Sequence, residues 1–191
     1  MQLSYANRGT RAVVPPHAAR PRALGWLPVT RTVERTFALS PRDLVEGMFS
    51  PEYGAARSAA LGGTDPITVE RAGGAVTVRF PRRLPLDSVP APLRALAGSG
   101  DVVQVEHWDR VDDERCTATW ETESAMPGKV SGTFEVVPAP GGATYRIVAT
   151  AKVNVPLIGG RISSEVEGHV VRLIEAEMDF AGEWLAGQDR G

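Results

Sequence analysis

The sequence predicts an α+β domain with about seven antiparallel strands, two short helices after the first strand and one long helix at the C-terminus. Three observations carry this expectation. Segments from Thr32 to Val155 alternate apolar and polar residues, and their connections are too short for parallel crossovers. Two Ser-Pro pairs, Ser40-Pro41 and Ser50-Pro51, follow the first strand with the chemistry of helix starts. From Ile162 to Leu185 the apolar residues recur at helical spacing.

In "TVERTFAL" the residues Val33, Arg35, Phe37 and Leu39 share one face of a strand. "SPRDLVEGMF" follows, with Ser40 as N-cap, Pro41 in the first turn and Leu44, Val45, Met48 and Phe49 as an apolar stripe. "SPEYGAARSAALGG" repeats the start signal and ends at Gly62-Gly63. "ITVERAGGAVTVRF" reads as a hairpin about Gly73-Gly74. The Pro-rich run from Pro81 to Gly100 reads as a loop, with a short helix near Ala91 to Leu96. "DVVQVEHWDR", "RCTATWETES", "KVSGTFEVVP" and "ATYRIVATAKVNV" supply four more strands, turning at "VDDE", "AMPG" and "APGG". The last strand is expected to end at Pro156, where its ladder loses a donor, and Gly159-Gly160 lets the chain reverse. The long helix then begins near Gly160, with Ser164 and Glu167 at capping-box spacing. Its apolar arc holds Val170, Leu173 and Phe180, and Glu165, Arg172, Glu175, Asp179 and Glu183 take the opposite side.

The 191 residues fit one domain with an appendage. Residues 1–29 contain Arg8, Arg11, Arg20 and Arg22, four prolines and no acid, and are expected to form a disordered N-terminal extension to a folded domain at 30–188. A net charge of −2 gives no general case for nucleic acid or an anionic membrane. No run approaches the ~18 apolar residues that span a bilayer, so stable membrane insertion is not expected. Cys116 is the lone cysteine, which excludes an internal disulfide, fits a reducing compartment and predicts the cytoplasm. His17, His107 and His169 show no metal-ligand spacing. Nucleophile-elbow, phosphate-loop and dinucleotide motifs are missing too, so no metal and no cofactor are expected. "DRVDDERC" reads as a solvated acidic hairpin tip.

One residue breaks the helical pattern. Glu177 falls inside the apolar arc, between Val170 and Phe180. A carboxylate there is either a cavity acid that meets a ligand or a partner of a nearby arginine. If the valines of "DVVQVEHWDR" mark the inner face, Val103, Val105 and His107 point inward and Trp108 outward. His107 is then a cavity group or a satisfied core histidine. Arg35 and Tyr145 are further inward polar candidates, whereas Arg71 is expected to reach solvent and His169, at the edge of the apolar arc, to be solvated. Phe37, Val105, Trp120, Phe134, Ile147, Val170, Leu173 and Phe180 are the expected lining, or filled core if no cavity exists. Ala118, Gly132, Ala149 and Ala151 are small residues that leave room beside them.

The element order from about Thr30 to Gln188 resembles the helix-grip fold of the START-like superfamily, which includes Bet v 1-like proteins, polyketide cyclases and coenzyme-Q-binding proteins. "VPLIGGRI" leading into "IEAEMDFAGEWL" also resembles an uncharacterised bacterial branch of that superfamily, with no assigned activity to carry over. The resemblance implies a curved sheet gripping the long helix around a large cavity, where members commonly bind lipids, sterols, quinones, polyketides or hormones. Three readings follow. The leading one is binding or carriage of a small hydrophobic ligand, such as a lipid, quinone or polyketide-like molecule. The second is a cyclase or hydratase using Glu177 with His107 or Arg35. The third is a packed interaction module displaying Trp26, Trp108 and Trp184 as an apolar patch.

Overall fold

The structure is a computed structural model that describes residues 29–88, 94, 98–125, 128–153 and 161–188. In chain order it contains β1 (Val29–Phe37), α1 (Pro41–Met48), α2 (Pro51–Ala60), β2 (Thr68–Ala72), β3 (Ala75–Arg83), a 3-10 turn at Leu86–Ser88, β4 (Asp101–Val111), β5 (Cys116–Ser124), β6 (Gly128–Ala139), β7 (Gly142–Val153) and α3 (Arg161–Gln188). The seven strands form one antiparallel sheet in the order β1-β7-β6-β5-β4-β3-β2. Every neighbour pair is a sequential hairpin except β1 with β7, which brings the first strand beside the last. The sheet curves around α3, and the arrangement is the helix-grip fold that the element order predicts. The expected N-terminal extension up to residue 28, the helix near Ala91 to Leu96 apart from Arg94, which is helical, and the Pro156–Gly160 reversal lie outside the described residues.

Local chemistry explains the helix starts. Ser40 Oγ accepts from the Asp43 amide at 3.1 Å, and Ser50 Oγ accepts from the Tyr53 amide at 3.2 Å. With Pro51 at its start, α2 places Tyr53 and Arg57 one turn apart on the same buried face. α1 turns Leu44 and Val45 inward.

Two expectations about strands need correction. β3 does not end at Phe80 but continues through Pro81 to Arg83. Proline is tolerated there because β2 pairs only with Ala75 to Arg79, and beyond it a single bridge of Gly63 with Arg82 uses the Pro81 carbonyl, which accepts from the Thr64 amide at 3.1 Å, and asks no N–H of position 81. In β4 the inward residues are Val102, Gln104, Glu106 and Trp108, all buried. The phase is therefore the reverse of that inferred from the valines. Register explains it: Trp108 pairs with Val76 and Ala118, and Glu106 with Val78 and Trp120, all on the concave face. His107 is exposed on the outer face beside Thr77, and Val105 is buried on that outer face between Arg79 and Glu121.

Aromatic rings fill much of the interior. Phe134 stacks on Trp108 at 5.6 Å and on Trp120 at 5.7 Å, and Phe49 meets Trp108 edge-on at 5.6 Å. Trp108 is thus a core residue and not part of an exposed patch, and Trp184 packs edge-on against Tyr53 at 5.2 Å. Trp26 lies outside the described residues.

Gly132 is small because its neighbours occupy the space. A Cβ there would fall against the Val148 carbonyl oxygen and stand 2.9 Å from Trp120 Nε1. The backbone oxygen cannot rotate away as a side chain does. Gly132→Ala is therefore expected to destabilise the fold by about 3 kcal/mol, at the upper end of overpacking costs, in urea denaturation. A loss below about 0.5 kcal/mol contradicts this packing.

Candidate functional site

Four charged side chains from four elements meet in the interior. Arg57 comes from α2, Arg82 from β3, Glu106 from β4 and Glu177 from α3. Arg57, Arg82 and Glu106 are 4%, 6% and 2% exposed, and the Glu177 side chain is 13% exposed. Arg57 Nη2 donates to Glu106 Oε1 at 2.9 Å and also lies 2.9 Å from Glu177 Oε2, while Arg57 Nε donates to Glu177 Oε2 at 3.0 Å. Arg82 Nη1 donates to Glu177 Oε1 at 3.1 Å. Gln104 Nε2 and Trp108 Nε1 complete the shell of Glu106, donating to its two oxygens at 3.0 and 3.1 Å. The Phe80 ring underlies both guanidiniums, 4.8 Å from Arg57 Cζ and 5.3 Å from Arg82 Cζ.

Two positive and two negative charges leave this cluster neutral. Burial is tolerable only under that condition, because an unpaired charge in the interior costs several kcal/mol. Burial opposes the Arg57 charge, yet Glu177 and Glu106 outweigh it and hold its pKa above the ordinary value. For Arg82 burial prevails and lowers the pKa, with Glu177 opposing. Arginine nevertheless remains a cation at any physiological pH.

Against the cluster lies a pocket of about 70 Å³. Trp120, Phe134, Ile147, Val170 and Leu173 line it, and Arg82, Gln104 and Glu177 form its polar end. This is far smaller than the large cavity expected. The tryptophan and phenylalanine rings and the charged cluster occupy the space that a wide hollow needs. A broader depression of about 300 Å³ on the outside is walled by charged side chains, and two of them, Arg83 and Asp101, already pair with each other at 2.7 Å.

The structure places the anticipated residues unequally. Glu177 is in the pocket wall, and its arginine partners are Arg57 and Arg82. Arg35 lies elsewhere: it donates to the Met178 carbonyl at 2.7 Å and pairs with Asp179 where both are solvent-accessible. His107 is on the opposite face of the sheet, so it cannot join Glu177. Tyr145 is buried beside Phe134 at 5.8 Å, while Phe37 and Phe180 pack on Tyr145 and Tyr53 away from the pocket wall. His169, expected to be solvated, has both ring nitrogens buried without a hydrogen-bond partner among the described residues. Burial lowers its pKa, with Arg172 and Arg82 reinforcing. Arg71 is exposed and pairs with Glu46 at 2.6 Å, as expected of a residue reaching solvent. Cys116 is buried, which raises its thiol pKa and keeps the nucleophilic thiolate scarce.

Sequence reasoning missed Arg57, Arg82, Gln104 and Glu106. One signal was available for β4: Trp108, the bulkiest residue of the strand, shares its phase with Glu106 and Gln104. Arg57 had a weaker one, four residues after Tyr53 on a helix otherwise rich in alanine and glycine.

The family described as "Protein of unknown function (DUF2505)" matches residues 32–185, and the chain belongs to it. No curated protein matches the sequence. Similar solved structures include TTHA0849 from Thermus thermophilus, at 15% identity over 84% of this chain and 99% of that one, with a TM-score of 0.57. The Zhui aromatase/cyclase from Streptomyces sp. R1128 is 17% identical over 80% of this chain and 92% of that one, with a TM-score of 0.50. Ara h 8.0201 is 14% identical over 83% of this chain and 99% of that one, also at 0.50. These likenesses establish the START-like, Bet v 1-like fold, and fold alone does not assign an activity. No helix among the described residues is long and apolar enough to cross a membrane.

The cluster has a consequence for alkaline stability. Burial lifts the Tyr53 phenol above its ordinary 10.0, opposed by Arg57 and reinforced by Glu177 and Glu106. Burial also lifts Tyr145, reinforced by Glu106 and Tyr53. Above pH 10 the unfolded chain therefore releases protons that the folded chain retains, and stability falls as pH rises. The expected slope is about 1.4 kcal/mol per pH unit for each tyrosine. Urea midpoints measured from pH 9 to 11 should show this decline, and Tyr145→Phe should shallow it. An unchanged slope in that variant contradicts the assignment.

Proposed function

We propose that this member of the DUF2505 family binds a small, largely apolar molecule in the pocket between the sheet and α3. The observation that carries the proposal is the pocket itself, with its apolar wall and one polar end. Its size bounds the occupant. A void of ~150 Å³ accepts benzene and a water occupies ~30 Å³, so about 70 Å³ accommodates a small group. Leu84, Val130 and Leu173 are half-buried wall residues, and the remainder of a larger molecule would emerge past them. A chain end or ring edge of a lipid, quinone or polyketide-like compound meets that description.

The aromatase/cyclase among the similar structures raises an enzymatic alternative. The chemistry of this pocket favours binding. Both oxygens of Glu177 and both of Glu106 already receive hydrogen bonds from Arg57, Arg82, Gln104 or Trp108. His107 is on the far face and Arg35 is paired with Asp179, so the acid–base partners that a cyclase reading needs are not beside Glu177.

Thermal melts of the full chain in toluene-saturated buffer test the binding proposal, together with native mass spectrometry and organic extraction of the purified protein. The expected result is a Tm rise of about 2 °C or more, absent in Leu173→Trp, whose indole fills the pocket. A flat melt with toluene, combined with a clean apo mass, overturns the binding reading in favour of a packed interaction module.

A further inference from the structure

Trp120 stands apart from the other rings of the interior. It is the largest side chain in the pocket wall, whereas Trp108 and Phe49, which continue the same stack behind Phe134, are not part of that wall. Its Nε1 is also buried without a hydrogen-bond partner among the described residues. A buried donor left unpaired is unfavourable, and a phenylalanine would stack on Phe134 without one. Packing alone therefore gives no reason for an indole here, and its extra bulk calls for another explanation.

Resting on the binding proposal above, we infer that Trp120 is the specificity-determining residue of the pocket and sets how many carbons of an apolar ligand it buries. The first ground is space. The void is about 70 Å³, less than half of the ~150 Å³ that accepts benzene. In a void this small, the size of the largest side chain in the wall decides how much of a ligand enters. Each carbon kept out forfeits its share of apolar burial, so the residue that limits depth also ranks ligands by length.

The second ground is rigidity. Trp120 stacks on Phe134 at 5.7 Å with ring planes 12° apart, and Phe134 stacks in turn on Trp108 at 5.6 Å. Trp108 is itself tied down, because its Nε1 donates to Glu106 at 3.1 Å. The nitrogen edge of the Trp120 indole lies against Gly132, where a Cβ would stand 2.9 Å from Nε1. The ring is thus backed on one face and along one edge. In so close-packed an interior an incoming chain does not push it aside and stops against it.

A series of straight-chain 1-alkanols from butanol to decanol, titrated into the ¹⁵N-labelled full chain and followed by NMR, measures the buried length. In the wild-type chain Kd is expected to fall about fourfold per added carbon and to level off once the pocket is full. Trp120→Phe is expected to level off at a longer chain, and Trp120→Leu at a longer one still. Phe49→Leu, which loosens the far end of the same stack, is expected to level off where the wild type does. Trp120→Phe keeps a ring on Phe134 and removes the unpaired donor, so it carries the test even if Trp120→Leu folds poorly. Levelling at the wild-type length in the Trp120 variants overturns the inference and leaves the binding site standing. An equal shift in Phe49→Leu overturns it too, because the limit then belongs to the whole stack. Wild-type Kd values that improve without levelling up to decanol have the same effect. Binding of no alkanol by any of these chains, with no Tm response to toluene, removes both the inference and the proposed function.

Discussion

Charge neutrality in the interior is the constraint on which the rest of this structure depends. Arg57, Arg82, Glu106 and Glu177 are drawn from four separate elements and buried together. No single pair among them is sufficient. Glu177 accepts from both arginines and Glu106 from Arg57, so removing one member leaves a charge without its counterpart. The cluster fixes where α2 and α3 lie on the sheet, because Arg57 and Glu177 have their partners only in that alignment. Apolar packing against a curved sheet tolerates small slides of a helix; a set of directional hydrogen bonds does not.

The same cluster shapes the pocket. It occupies one end of the space beneath α3, and the stacked rings of Trp108, Phe134 and Trp120 fill much of the remainder. What is left is small, apolar along its wall and polar at one end. The carboxylates at that end are already engaged by arginines.

The fold was legible because its signals are redundant. Alternation over successive short segments, Ser-Pro helix starts and the wide apolar arc of α3 all point the same way. The site was legible only in part, and the reason differs for each residue. Glu177 stood out because a helix wheel exposes a lone acid among apolar neighbours. Its partners did not, because pairing between α2, β3 and α3 is a matter of tertiary geometry that no local period encodes. In β4, Val102, Val103, Val105 and Trp108 put apolar residues on both faces, so alternation alone does not fix the phase. Val105 is buried on the outer face, flanked by Arg79 and Glu121, and it misled the assignment of His107 and Glu106 together. Arg82 follows Pro81, and the usual reading of proline as a strand terminator hid it.

The central claim is tested most directly by a double-mutant cycle on Arg57→Met and Glu106→Gln, read by urea denaturation. Each single change unbalances the cluster by one charge, and the double change restores neutrality. The account predicts a loss of about 3–5 kcal/mol for each single variant. It further predicts that the double variant is more stable than the sum of the two losses allows, by about 2 kcal/mol. Losses that simply add, or single variants within about 0.5 kcal/mol of the parent, would contradict it.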